Sequence, residues 1–182
     1  MNREILQSDN QQLFQKNRNI NFAKDLEYLQ KFLLPDLVNT MRASECIGFA
    51  APQINEHVNV FITEIRQTQY RTDPNIIDKL RFFINPEIVY FSSNQNIITE
   101  GCASVQKSQF SYQVSRPQEI VVTAFDENGH KFKLACNGLL ARVIQHEYDH
   151  LKGKIFTSYP KASEIDHDQE IKNSQITKRT ML

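Results

Sequence analysis

Neither charge predominates in this sequence of 182 residues, where 21 Lys and Arg face 21 Asp and Glu. So balanced a chain has no global attraction for nucleic acid or an anionic membrane surface, and no direct nucleic-acid partner is expected. No apolar run approaches the ~20 residues needed to cross a bilayer, so no membrane partner is expected either. Residues 1–21 are polar and lack the apolar stretch of a secretory signal. Cysteine is scarce: Cys46, Cys102 and Cys136 are an odd number without paired spacing. That argues against a disulfide framework and for a reducing, cytoplasmic compartment, and it leaves a thiol free to act as a ligand. Internal repeats and long linkers are lacking too, and the length suits one domain with a full core.

What the chain does have is the run His146-Glu147-Tyr148-Asp149-His150. On an α-helix, positions i and i+4 share a face about 6 Å apart along the axis. Two imidazoles so placed can grip one metal ion, and the glutamate after the first projects where it can take a proton from water. The same pattern arises by chance in amphipathic helices with two unrelated histidines, so its surroundings matter. Asn137 is read as an N-cap, Leu139, Leu140, Val143, Ile144 and Leu151 recur at helical spacing, and Gly153 stands where a helix would end with positive φ. His146 and His150 then lie beside the apolar stripe, and two buried imidazoles together suggest a shared ligand. Metal-assisted hydrolysis is the chemistry this implies.

Along the chain, residues 1–21 are rich in Asn and Gln and read as a surface-wrapping extension. Leu26, Leu29, Leu33, Leu37 and Met41 keep a helical period from Phe22 towards Ser44, with Pro35 as a kink or a break. Val58, Val60 and Ile62 alternate as a strand, and Gln67 to Asp78 reads as a polar loop. Leu80 to Ile84 and Ile88 to Phe91 read as two strands divided by Asn85-Pro86. Ile120 to Phe125 and Lys131 to Ala135 flank Asp126-Glu127-Asn128-Gly129, a hairpin signal. After Tyr159 the chain turns polar, so 22–159 is expected as the catalytic domain and 160–182 as a tail. Strands between an early and a late helix predict an α+β fold, with mixed or antiparallel strands around the histidine helix.

Two histidines leave a metal short of protein ligands. Cys102, in Glu100-Gly101-Cys102-Ala103-Ser104, is the best third candidate, since a thiolate suits Zn²⁺ or Fe²⁺; the alternative is a small buried core residue. Three segments now stand in order: Cys46-Ile47-Gly48-Phe49-Ala50-Ala51-Pro52-Gln53, Glu100 to Ser104, and Gln145 to His150. Together they resemble the three signature motifs of the peptide deformylases, enzymes that remove the formyl group from the N-terminal formylmethionine of nascent chains. Ile84 to Ile88, Ser115-Arg116-Pro117 and Gly138 to Arg142 agree, and the likeness runs from about Phe22 to Phe156. It departs in two places: the first motif opens on Cys46 where the family has glycine, and Ala103 stands where the family has leucine. Both positions lie next to where the family holds substrate.

The resemblance implies one divalent ion on Cys102, His146 and His150, with Fe²⁺ favoured physiologically and Zn²⁺, Ni²⁺ or Co²⁺ able to replace it. It implies Glu147 as the proton carrier, with the Gln53 amide and the Ala103 backbone N–H meeting the developing oxyanion. Ile47, Gly48 and Cys46 would bind substrate, Ile47 through its backbone or simply as a core residue. Backbone contact and turn geometry both remain open for Gly48, as does capping of the loop after Pro52 for Gln53. Glu100 is read either as a partner of Arg116 or as solvated, and Asp149 as facing solvent. Cys136, His57, His130 and His167 are given no role. The expected partners are an N-formylmethionyl peptide and, transiently, the ribosome. A paralogue with another acyl or first-residue preference, or a metal-stabilised binding module without catalysis, are the rival readings.

Overall fold

A computed structural model describes residues 1–73, 75–105 and 112–160. The first helical stretch comprises α1 (Phe22–Tyr28), a π-helical turn at Leu29–Leu33 and α2 (Leu34–Ala43). The helical stretch continues through Pro35 without a break. Having no N–H to give Lys31, it is accommodated by widening the preceding turn, where the Leu34 N–H reaches back to Leu29 O. Leu29, Leu33, Leu37 and Met41 are buried on one face, as their spacing requires.

Among the described residues seven strands follow: β1 (Gly48–Ala50), β2 (Val60–Ile65), β3 (Asp78–Phe91), β4 (Gln95–Glu100), β5 (Tyr112–Pro117), β6 (Glu119–Phe125) and β7 (Lys131–Asn137). They make a five-stranded sheet in the order β1-β2-β3-β6-β7 and a separate β4-β5 pair, antiparallel throughout. The β6–β7 hairpin forms as expected, with Gly129 at φ +82° in its turn.

One expectation fails at Asn85-Pro86, where a single long strand runs through instead of two. Asn85 takes φ +50° and its amide is hooked onto the Ile20 backbone in both directions, while the pairing with β6 shifts register between Ile84 and Glu87. A bulge lets the strand absorb a proline that cannot donate to the ladder.

Helix α3 (Gly138–Leu151) lies between the two sheets. Ala141, Ile144 and Leu151 pack with Phe61, Phe83 and Val122 of the large sheet. On the other side Arg142 donates to Val114 O of β5 at 3.0 Å. The helix begins after Asn137, though that side chain caps nothing, and Gly153 has φ +65° just past its end. From Ala141 to Leu151 only Tyr148 escapes full burial, so the helix's polar side chains must find partners inside the protein.

The segment 1–21 is more than a surface wrap, because Leu13 and Ile20 join the buried apolar residues. It is pinned to the domain by the Leu6 N–H on Gln53 O at 2.8 Å and by Asn17 Nδ2 on Leu151 O at 2.9 Å. The segment from residue 161, expected as a tail and carrying His167, lies outside the described residues.

Candidate metal centre and active site

Helix α3 presents His146 and His150 one turn apart, and the loop after β4 brings Cys102 against them. Their ligand atoms all lie within 4.8 Å of one another, with Cys102 Sγ 3.3 Å from His150 Nε2. Tetrahedral ligation at ordinary Zn–S and Zn–N lengths separates donors by about 3.3–3.8 Å, so the cluster fits one divalent ion with little adjustment.

His146 Nδ1 pairs with Glu100 Oε2 at 2.8 Å, which leaves Nε2 for a metal. Glu100 is buried and also takes Arg116 Nε at 2.7 Å and Arg142 Nη1 at 2.8 Å on Oε1. Burial would raise its pKa, but the His146 and Arg116 contacts win and hold the carboxyl well below the usual carboxylate range. Arg116 passes on to Asp149 Oδ2 at 2.6 Å, and Tyr159 Oη donates to Asp149 Oδ1 at 3.1 Å. Of the two readings of Glu100 and Arg116, pairing is the one realised. The expectation that Asp149 faces solvent fails, since Arg116 has drawn it inside to balance a buried guanidinium.

Gln53 is buried on the 3₁₀ turn after β1. The Ala50 N–H, which can only donate, meets Gln53 Oε1 at 2.8 Å. That contact fixes the amide's orientation and turns Nε2 towards Cys102 Sγ at 3.5 Å and Ser104 Oγ at 3.2 Å. Glu147 points to the same place. Burial pushes its carboxyl up to about 7, and Oε2 has no protein partner among the described residues. Gly48 sits in strand β1, so turn geometry is not what demands glycine there; the Glu147 side chain occupies the space a β-carbon would take.

A cleft of about 710 Å³ brings these groups together with Cys46, Ile47, Gly48 and Ala103 on its walls. The Cys46 thiol turns towards the Ser44 carbonyl at 3.6 Å, and burial raises its pKa while a Ser44 hydrogen bond opposes the shift. Ala103 O accepts from Gln7 Nε2 at 3.2 Å. All nine candidate residues therefore meet at one site. Sequence reasoning missed Ser104, whose N–H lies 3.4 Å from Cys102 Sγ, and the parts played by Arg142 and Asp149. The signal was present only for Arg142, one helical turn before His146.

A family model described as "Polypeptide deformylase" matches residues 2–166. The chain belongs to the polypeptide deformylase family. Over 127 residues it is 39% identical to Peptide deformylase 1 of Burkholderia multivorans, covering 70% of this chain and 65% of that protein, just under two thirds. Peptide deformylase 1 of Ralstonia nicotianae is 40% identical over 70% of this chain and 69% of that protein. Among solved structures, a probable peptide deformylase from Synechococcus phage S-SSM7 superposes with a TM-score of 0.74 at 31% identity, over 86% of this chain and 98% of that one. A Met-Ala-Ser-bound class I type b peptide deformylase from Acinetobacter baumannii reaches 0.81 at 26% identity, over 88% and 99%. Deformylases are metal-dependent, and the Cys/His/His cluster can hold the ion. Among the described residues no helix is long and apolar enough to cross a membrane.

Proposed function

We propose that this chain hydrolyses the formyl group from the N-terminal formylmethionine of nascent polypeptides, taking up water and releasing formate and a free amine. The observation that carries the reading is the buried Glu147 carboxyl, whose Oε2 has no partner among the described residues, beside three convergent donors, with the Gln53 N–H turned to the same point. Cys102, His146 and His150 would hold one divalent ion, which when bound would supply Lewis acidity and favour hydroxide over water near neutral pH. Glu147 takes the proton from the attacking water and delivers it to the departing amine nitrogen. Gln53 Nε2 and the Ala103 backbone N–H donate to the formyl oxygen as its charge grows.

Among the described residues strand β1 pairs only with β2, which leaves its outer edge for an extended peptide lying along Ile47 and Gly48. Cys46 lines the same cleft and borders the path of the substrate. Fe²⁺ is the physiological ion in this reading, with Zn²⁺, Ni²⁺ or Co²⁺ as replacements; the enzyme works in the cytoplasm, with transient contact at the ribosome. The rival paralogue and binding-module readings are not favoured by the family likeness.

The test is formate release from formyl-Met-Ala-Ser by metal-loaded protein. The wild type should turn over, and Glu147→Gln should lose about 10²–10⁴-fold in kcat while keeping its metal. Undiminished activity in that variant would sink the mechanism.

A further inference from the structure

Arg71 lines the same cleft as Glu147 and Cys102 but takes no part in the machinery described above. It ends a tight turn in which Thr68 and Arg71 exchange both backbone hydrogen bonds, at 2.8 and 3.1 Å. The turn is tied to the approach to β1, because the Gln69 N–H donates to Glu45 Oε2 at 3.0 Å. The guanidinium Nε and Nη2 are shut off from solvent, yet neither meets an acceptor among the described residues. Every other arginine among the described residues reaches a carboxylate. Arg71 alone does not. A rigid fork of donors left without an acceptor in a cleft wall is a receptor for an acceptor that arrives with the ligand.

Position decides which part of the ligand that is. With the formyl group at Glu147, beside Gly48, an extended peptide along β1 passes Ile47 and Cys46 on its way out. The 68–71 turn, anchored at Glu45, lies at that exit. An extended chain advances about 3.3 Å per residue, so the second or third residue of the substrate comes abreast of Arg71. The carboxylate on this wall, Glu45, is already engaged by Gln69. We propose that Arg71 selects substrates carrying an acidic side chain at the second or third position. This rests on the deformylase reading and adds a specificity determinant to it.

The experiment compares kcat/KM of metal-loaded, full-length protein on formyl-Met-Ala-Ser and its variants with Asp or Asn at the second or third position. Asp should exceed Asn by about tenfold at one of these positions in low salt, the worth of one partly screened charge-assisted hydrogen bond. The ratio should fall towards one in Arg71→Met and be partly retained in Arg71→Lys. A ratio of one in the wild type, or an unchanged ratio in Arg71→Met, overturns the proposal while leaving formate release intact. Failure of the deformylase reading looks different, since no peptide would then yield formate. Calorimetric titration with the products Met-Ala-Asp and Met-Ala-Asn, and their second-position counterparts, tests Arg71 without catalysis. Tighter binding of an Asp peptide by wild type but not by Arg71→Met supports the proposal, and equal affinities at both positions overturn it.

Discussion

Gly48 and Glu147 compete for one volume: a β-carbon at position 48 would stand 2.5 Å from Glu147 Oε1 and 2.6 Å from Val143 Cγ1. No flexible tip can yield without moving the carboxylate, because Val143 and Glu147 share one buried face of α3. Gly48→Ala should therefore lower kcat on a formyl-Met peptide by about 100-fold, the order expected when a reacting group is misplaced by an ångström. Overpacking should also cost ~1–3 kcal/mol, read from the urea midpoint. A variant with wild-type kcat would refute the steric explanation.

Gln53→Met keeps the bulk of the side chain but removes both its contact to Ala50 and its donor. The expected loss in kcat is about 10²–10³-fold, as for other oxyanion donors, with metal content unchanged because Gln53 is not a ligand. Parallel steady-state kinetics and metal analysis check this. Lost metal with wild-type kcat per bound ion would assign Gln53 to the ligand shell instead.

Arg116 has 3% of its side chain exposed and stands between two carboxylates, Glu100 and Asp149. Arg116→Met removes the cation that faces Asp149 and one of the three groups on Glu100, which keeps Arg142 and His146, and should destabilise the fold by ~3–5 kcal/mol in chemical denaturation. Glu100→Gln acts differently, since it weakens the hold on His146 Nδ1. Competition with a chelator should show a loss of metal affinity of about 10–100-fold.

Cys136 supplies a pH test away from the metal cluster. Burial raises its thiol from 9.0 up to about 11, with Arg81 opposing and Asp78 adding to the shift. Because the unfolded chain gives up this proton first, the stability contribution is fully present below pH 9 and is lost as pH rises towards 11. Thermal midpoints between pH 8 and 11 should fall less steeply in Cys136→Ala than in the wild type. Equal slopes would show that the thiol does not contribute.

Short-range patterns were readable from the sequence wherever side-chain spacing alone sets local structure. The β6–β7 hairpin follows from Gly129 between two alternating runs, and α3 from an apolar stripe that stops at Gly153. Tyr112–Pro117 escaped because its inward-facing Arg116 looks like a surface residue until Glu100 and Asp149 arrive from β4 and α3 to neutralise it. Asn85-Pro86 misled for a related reason. The Ile20 backbone holds Asn85 in its left-handed conformation, 65 residues away in sequence, and keeps the strand continuous.

The sequence by itself determined the kinds of chemistry available: a thiolate, two imidazoles one helical turn apart, a carboxylate beside them and an amide, in ordered motifs. Spacing along one helix is a local property, so His146, Glu147 and His150 could be placed without knowing the fold. Only the tertiary structure decided that Cys102 closes on those histidines, that the Ala50 N–H turns the Gln53 donor inward, and that Gly48 makes room for Glu147. Those relations join β1, the β4 loop and α3, and they exist because burial of the apolar faces of these elements leaves polar groups that must be paired with one another across the chain.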